Sequence, residues 1–190
     1  MPELFSRRSN RLPGYNYSSN GAYYITICAN NRKCLFGEIK YAKCVGAGLV
    51  PARNDTLRRI KLSTIGKIIN DEWNDIPNQY KNIYVDEYVI MPNHFHGIIM
   101  IGDGENNRAA TRAAPTHLGR IIGSFKSRCT VNHLKCIRKY NLDISTKIWQ
   151  RNYHDHIIRN DKSLNKIRKY IRNNPLTWNS DIENPDRIIK

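Results

Sequence analysis

The chain predicts an α+β domain: one antiparallel sheet carrying helices, in two strand–helix–strand halves of the split βαβ kind. Three observations predict it. Aromatic and β-branched runs over 21–29, 83–91 and 94–101 have strand character. Apolar residues recur at three- and four-residue steps over 58–76, 118–129 and 153–173, which is helical spacing. Pro92-Asn93 separates two of the strands by a tight turn, so those two are neighbours in a hairpin. A length of 190 residues suits one domain with a buried core.

In chain order, residues 1–20 are basic and rich in Ser, Asn, Pro and Gly, with Tyr15 and Tyr17 interleaved, and read as a flexible arm. The domain proper is expected over 21–175. Gly21 to Ala29 is the first strand, with Tyr23, Ile25 and Ile27 on one face. Residues 45–54, small and broken by Pro51, are an irregular loop. Arg58 to Ile76 reads as an amphipathic helix with Leu62, Ile65, Ile69, Trp73 and Ile76 inward, closed by Pro77. The hairpin strands follow at 83–91 and 94–101, then a loop over about 102–115 without periodicity.

The next helix turns Leu118, Ile121, Ile122, Phe125 and Cys129 inward and leaves Arg120, Lys126 and Arg128 off the stripe. Lys147 to Gln150 suits a short edge strand carrying Trp149. A last helix is expected from Tyr153 to Asn173, with Leu164, Ile167, Tyr170 and Ile171 apolar and Pro175 as its stop. Residues 176–190 read as a tail. The element order gives a ferredoxin-like arrangement with residues 94–101 as a central strand.

The balance of 31 Lys and Arg against 16 Asp and Glu, a formal net charge of +15, points to a polyanionic partner, nucleic acid first. Residues 147–172 hold eight Lys and Arg against Asp155 and Asp161. No apolar run has the roughly 20 residues of a membrane span, and the basic N-terminus lacks the apolar core of a secretory signal. The five cysteines show no Cys-x-x-Cys spacing and read as reduced, cytoplasmic thiols.

Two stretches carry chemistry. In Asn93-His94-Phe95-His96-Gly97, strand alternation projects both histidines to one face and Phe95 to the other, which offers two imidazoles to a divalent ion. In Trp149-Gln150-Arg151-Asn152-Tyr153-His154-Asp155-His156, helical spacing puts His156 on the face of Tyr153. A tyrosine hydroxyl beside such an ion could attack a phosphodiester.

On these residues the chain resembles the single-tyrosine HUH transposases, and within them the REP-associated tyrosine transposases, over roughly 20–175. The resemblance implies an HUH-type fold with a tyrosine-bearing helix. It also implies cleavage and rejoining of single-stranded DNA beside a hairpin through a 5′-phosphotyrosine, with Mg2+ or Mn2+. Carried over, His94 and His96 are metal ligands, Tyr153 is the nucleophile and His156 the third ligand. Relatives often place Gln or Asn four residues after the tyrosine; here that position is Ile157. Arg120, Lys126, Arg128, Arg151 and Arg159 are the expected DNA contacts, and the protein could act as monomer or homodimer. Two rivals stay open: a metal-dependent nuclease that activates water, and a non-catalytic ferredoxin-like nucleic-acid-binding module.

Overall fold

The computed structural model describes residues 15–17, 19–42, 57–102, 117–185 and 187. Its main sheet has four antiparallel strands: β1 (Gly21–Cys28), β4 (Ile83–Ile90), β5 (His94–Ile101) and β6 (His154–Ile158), in the order β4-β5-β1-β6. That is the strand order of a split βαβ domain, as the element order predicts. A separate two-stranded ribbon pairs β2 (Gly37–Ala42) with β3 (Leu57–Leu62). Thus Ile60 and Leu62 belong to a strand, and the first helix starts later than the periodicity suggests. Ser63 sets that start: its hydroxyl accepts from Gly66 N at 3.1 Å and caps α1 (Thr64–Asn74).

After the short α2 (Ile76–Gln79), the hairpin closes with Met91 N donating to His94 O at 2.8 Å. The long helix α3 (His117–Tyr140) and, after β6, the helix α4 (Asp161–Thr177) follow.

The sheet is covered on both faces. On one, α1 and α3 pack over Tyr23, Ile25, Ile27, Phe95 and Ile99, with Trp73 at the centre against Phe95 (4.5 Å between rings) and Phe125 (5.4 Å). Gly97 makes room for that indole, because a Cβ there would lie 2.5 Å from Trp73. On the other face a smaller cluster joins Ile98 and Ile158 to Ile171 of α4, with Leu164 and Ile167 against it.

The expected helix from Tyr153 is not formed. Residues 154–158 are the edge strand β6, paired with Ala22 to Thr26, because the β-branched Ile157 and Ile158 fill the open edge of β1. Helix α4 begins only where Asn160 accepts from Ser163 N at 2.8 Å. It runs past Pro175, which sits in the last turn and removes a single late hydrogen bond. The expected edge strand around Trp149 is one bridge to Ala29, and Trp149 packs on Phe36.

Tyr15 and Tyr17, assigned to the arm, lie against Tyr23, with Tyr17 buried. Most of the arm, residues 43–56 and residues 103–116 lie outside the described residues, so the expected loops at 45–54 and 102–115 do too, apart from Gly102. The expected tail is ordered through Pro185: it ends α4, makes a turn at Trp178–Ser180 and folds back onto the sheet.

Candidate active site

His94 and His96 sit at the start of β5 with Phe95 turned into the opposite core, as strand alternation requires. Their rings lie 4.6 Å apart, and both are buried, at 1% and 5% exposure. Asn93 fixes the first ring. Its amide nitrogen donates to Arg32 O (3.0 Å) and Glu183 O (2.5 Å), so its oxygen is the acceptor toward His94 Nδ1 at 2.9 Å. The proton of His94 therefore resides on Nδ1, and Nε2 keeps a lone pair. That Nε2 is buried without a hydrogen-bond partner among the described residues.

His96 Nδ1 meets the hydroxyls of Tyr24 (2.7 Å) and Thr26 (2.9 Å), both on β1. Burial pushes the His94 imidazole down to about 4 although the nearby Asp181 carboxylate pulls the other way. Burial, then the neighbouring His94 and His154, hold His96 well below the usual histidine range. Both rings are thus neutral at neutral pH, the state in which imidazole ligates metal.

The helix facing them carries another tyrosine. Tyr170 on α4 lies 5.5 Å from the His96 ring and 6.3 Å from Tyr24, centroid to centroid, and is half exposed. Burial, and the charge of Asp181, raise its hydroxyl above the ordinary tyrosine value, so it rests protonated. Asn174 follows one turn later on the same face and is 1% exposed. Its amide interacts with both His94 and Tyr170. Even so, neither amide atom completes a well-formed hydrogen bond among the described residues.

The site is therefore built from two neutral imidazoles on a strand and an amide plus a phenol on a helix. Among the described residues no three His, Cys, Asp or Glu side chains gather as a metal cluster. With the imidazoles as they stand, further donors to an ion could come from the Asn174 amide or from Asp181, whose Oδ2 lies 4.0 Å from His94 Nε2.

Two assigned residues belong elsewhere. Tyr153 precedes β6 and packs against the α1/α3 core, on the far side of the sheet from both histidines. His156 does face α4's side, but it stands opposite Tyr24, while His154 stands opposite Thr26 in the row of His96. Both β6 histidines are exposed. Alternation also buries Asp155 on the core side, so no helical pair with Arg159 forms.

The expected DNA contacts divide likewise. Arg128 is engaged within the protein, donating to Glu72 at 2.5 Å and Asp75 at 2.6 Å and so tying α3 to α1. Lys126 caps the carbonyls of Gln150 (2.7 Å), Arg151 (3.1 Å) and Asn152 (3.4 Å), and burial lowers its ammonium to about 8. Arg120, Arg151 and Arg159 are exposed, as are Lys162, Lys166 and Lys169 of α4. Arg168 and Arg172, one turn apart, clamp α4 to Asp86 and Glu87 at a bulge in β4.

Sequence reasoning missed Asn93, Tyr170 and Asn174. The signal was present: a tyrosine, an asparagine four residues on, and a proline after it. Tyr170 was absorbed into the apolar stripe because its spacing from Ile167 and Leu164 is that of core residues.

No family model matches the sequence. An uncharacterised protein of Haemophilus influenzae is 37% identical over 185 residues, spanning 94% of this chain and 93% of that protein. A solved structure of a REP-associated tyrosine transposase bound to a REP hairpin matches with a TM-score of 0.53 at 16% identity, over 88% of this chain and 74% of that one. That likeness is one of fold.

Proposed function

Since the chain belongs to one family with the Haemophilus influenzae protein and has the fold of a REP-associated tyrosine transposase, we propose that it is a transposase-type enzyme. In this reading it cuts single-stranded DNA beside a hairpin and rejoins the strands, with Tyr170 as nucleophile. One observation carries the reading. A half-exposed tyrosine and a buried asparagine whose amide completes no well-formed hydrogen bond among the described residues lie one turn apart on α4, directly over two buried neutral histidines.

His94, His96 and Asn174 would hold Mg2+ or Mn2+, the amide supplying the carbonyl donor that suits these ions. Such an ion would draw charge from a scissile phosphate. The protein supplies the rest. Asn93 presents the His94 lone pair, and Tyr24 and Thr26 orient His96. Helix α4 holds the Tyr170 oxygen at the mouth of the site. That oxygen attacks phosphorus as its proton leaves to solvent, and the P–O3′ bond breaks, the leaving O3′ taking a proton from solvent. A 5′-phosphotyrosine and a free 3′-hydroxyl result, and reversal on a second 3′-hydroxyl rejoins DNA.

The net charge of +15 supports an anionic substrate. With Lys126 and Arg128 engaged internally, Arg151, Arg159 and the exposed lysines of α4 are the proposed phosphate contacts; Arg120 lies in the opposite helix layer. Because α4 packs on its own sheet, one copy assembles the site. Among the described residues no helix is long and apolar enough to cross a membrane, and we place the enzyme in the cytoplasm with its DNA.

The test uses oligonucleotides from DNA flanking the gene, with Mn2+, and scores a denaturant-resistant protein–DNA adduct. Native protein and Tyr153→Phe should form it; Tyr170→Phe should not. An adduct that persists in Tyr170→Phe overturns the assignment, and cleavage with no adduct in the native protein would favour a water-activating nuclease.

A further inference from the structure

Beyond α4 the chain brings a carboxylate to the histidines that the reading above leaves unused. Asp181 is 9% exposed at its side chain, and its Oδ2 lies 4.0 Å from His94 Nε2. Its placement is over-determined. Oδ1 accepts from Glu183 N at 2.8 Å, and Asp181 N donates to Trp178 O at 3.1 Å. Glu183 in turn is fixed at both ends, its carbonyl by Asn93 (2.5 Å) and its carboxylate by Arg32 (2.6 Å). With Oδ1 occupied by the turn, Oδ2 makes no hydrogen bond among the described residues, and it faces the histidine.

The opposed atoms are of the same kind. Asn93 keeps the proton on His94 Nδ1, so Nε2 presents a lone pair to a carboxylate oxygen. The gap is too wide for a hydrogen bond, which ends near 3.2 Å. Two buried acceptors across such a gap repel unless positive charge lies between them. One divalent ion bonded to both, at about 2.0–2.2 Å each, spans separations up to roughly 4.3 Å. Asn174 is also buried beside His94 and has an amide oxygen to offer.

Resting on the metal site proposed above, we propose that Asp181 is a fourth protein ligand of that ion. The C-terminal segment 178–184 is then part of the metal site. A carboxylate added to two imidazoles and an amide makes an even nitrogen–oxygen set with one negative charge, and supplies the hard oxygen donor that suits Mn2+ or Mg2+.

The experiment is Mn2+ binding by the full chain, read by electron paramagnetic resonance of the free ion, with circular dichroism to establish folding. Asp181→Asn should weaken Mn2+ binding at least about 10-fold, the smallest loss seen even for groups one shell further out. Asp181→Cys should shift preference from Mn2+ toward Cd2+, which only a side chain bonded to the ion would do. Native affinity in Asp181→Asn, or no gain for Cd2+ in Asp181→Cys, overturns the ligand role while His94→Ala still abolishes binding. Unchanged binding in His94→Ala overturns the metal site itself, and this inference with it.

Discussion

The two faces of β5 are made by alternate residues of one strand and differ in nearly every physical respect. Toward α1 and α3 it presents Phe95 and Ile99 to an aromatic core in which Trp73, Phe125 and Tyr88 meet. Toward α4 it presents His94, His96 and Ile98, and only a small apolar cluster supports them. The first face concentrates burial. The second carries groups that burial penalises, a His94 nitrogen and an Asn174 amide without a well-formed hydrogen bond among the described residues, each costing about 1–3 kcal/mol. A strand anchored firmly on one side can hold such groups still on the other. The lesson is a division of labour across a sheet about 10 Å from the next layer.

The contrast can be broken most severely from the core side. Trp73→Ala should cost about 3–5 kcal/mol in urea unfolding, since the cavity beside Gly97 and Phe95 has no ready filler. A loss below about 1 kcal/mol would show that the core face does not anchor β5. On the site side, Asn93→Ala should weaken Mn2+ binding about 10-fold while costing roughly 1–3 kcal/mol, because two carbonyls lose their donor and His94 loses its fixed tautomer. Unaltered Mn2+ affinity would show that the Asn93 contact does not set the tautomer.

The smallest effect concerns the clamp that seats α4. Burial works against the Asp86 carboxylate, but hydrogen bonds from Arg168 and from Glu87 N prevail and hold its pKa below the usual 3.8. A depressed carboxyl stabilises the fold above its unfolded value and loses that contribution as pH falls through the folded one. Arg168→Gln should therefore lower stability only slightly at neutral pH, because the partly exposed guanidinium is screened by solvent. Its deficit against native protein should shrink as pH drops below about 4. A deficit independent of pH would assign the effect to packing.

Much of this architecture was legible because it rests on periodicity. The hairpin, the buried stripe of α3 and the opposed sidedness of His94 and Phe95 follow from spacing alone. What misled lies at 154–158, where five residues are too few to separate a strand from a helix start by pattern. The arbiter was tertiary: β1 had an open edge, and Ile157 and Ile158 suit it. That one error moved the helix start to Tyr153 and hid the tyrosine actually facing the histidines. Asn160, a residue type that favours helix N-caps, was the signal that could have corrected it. Asp181 was beyond reach, since nothing local says that a chain will fold back after Pro175.

The alternation in β5 also sets what lengths of chain are permissible. Inserting or deleting one residue between Pro92 and Ile101 would hand the phenyl ring to α4 and drive both imidazoles into the aromatic core around Trp73. A change of two residues would restore sidedness but carry the histidines about 7 Å along the strand, away from Tyr170 and Asn174. Substitutions in this strand can be graded by size and polarity; indels cannot. For its eight residues the reading frame in space is as unforgiving as the one in the gene.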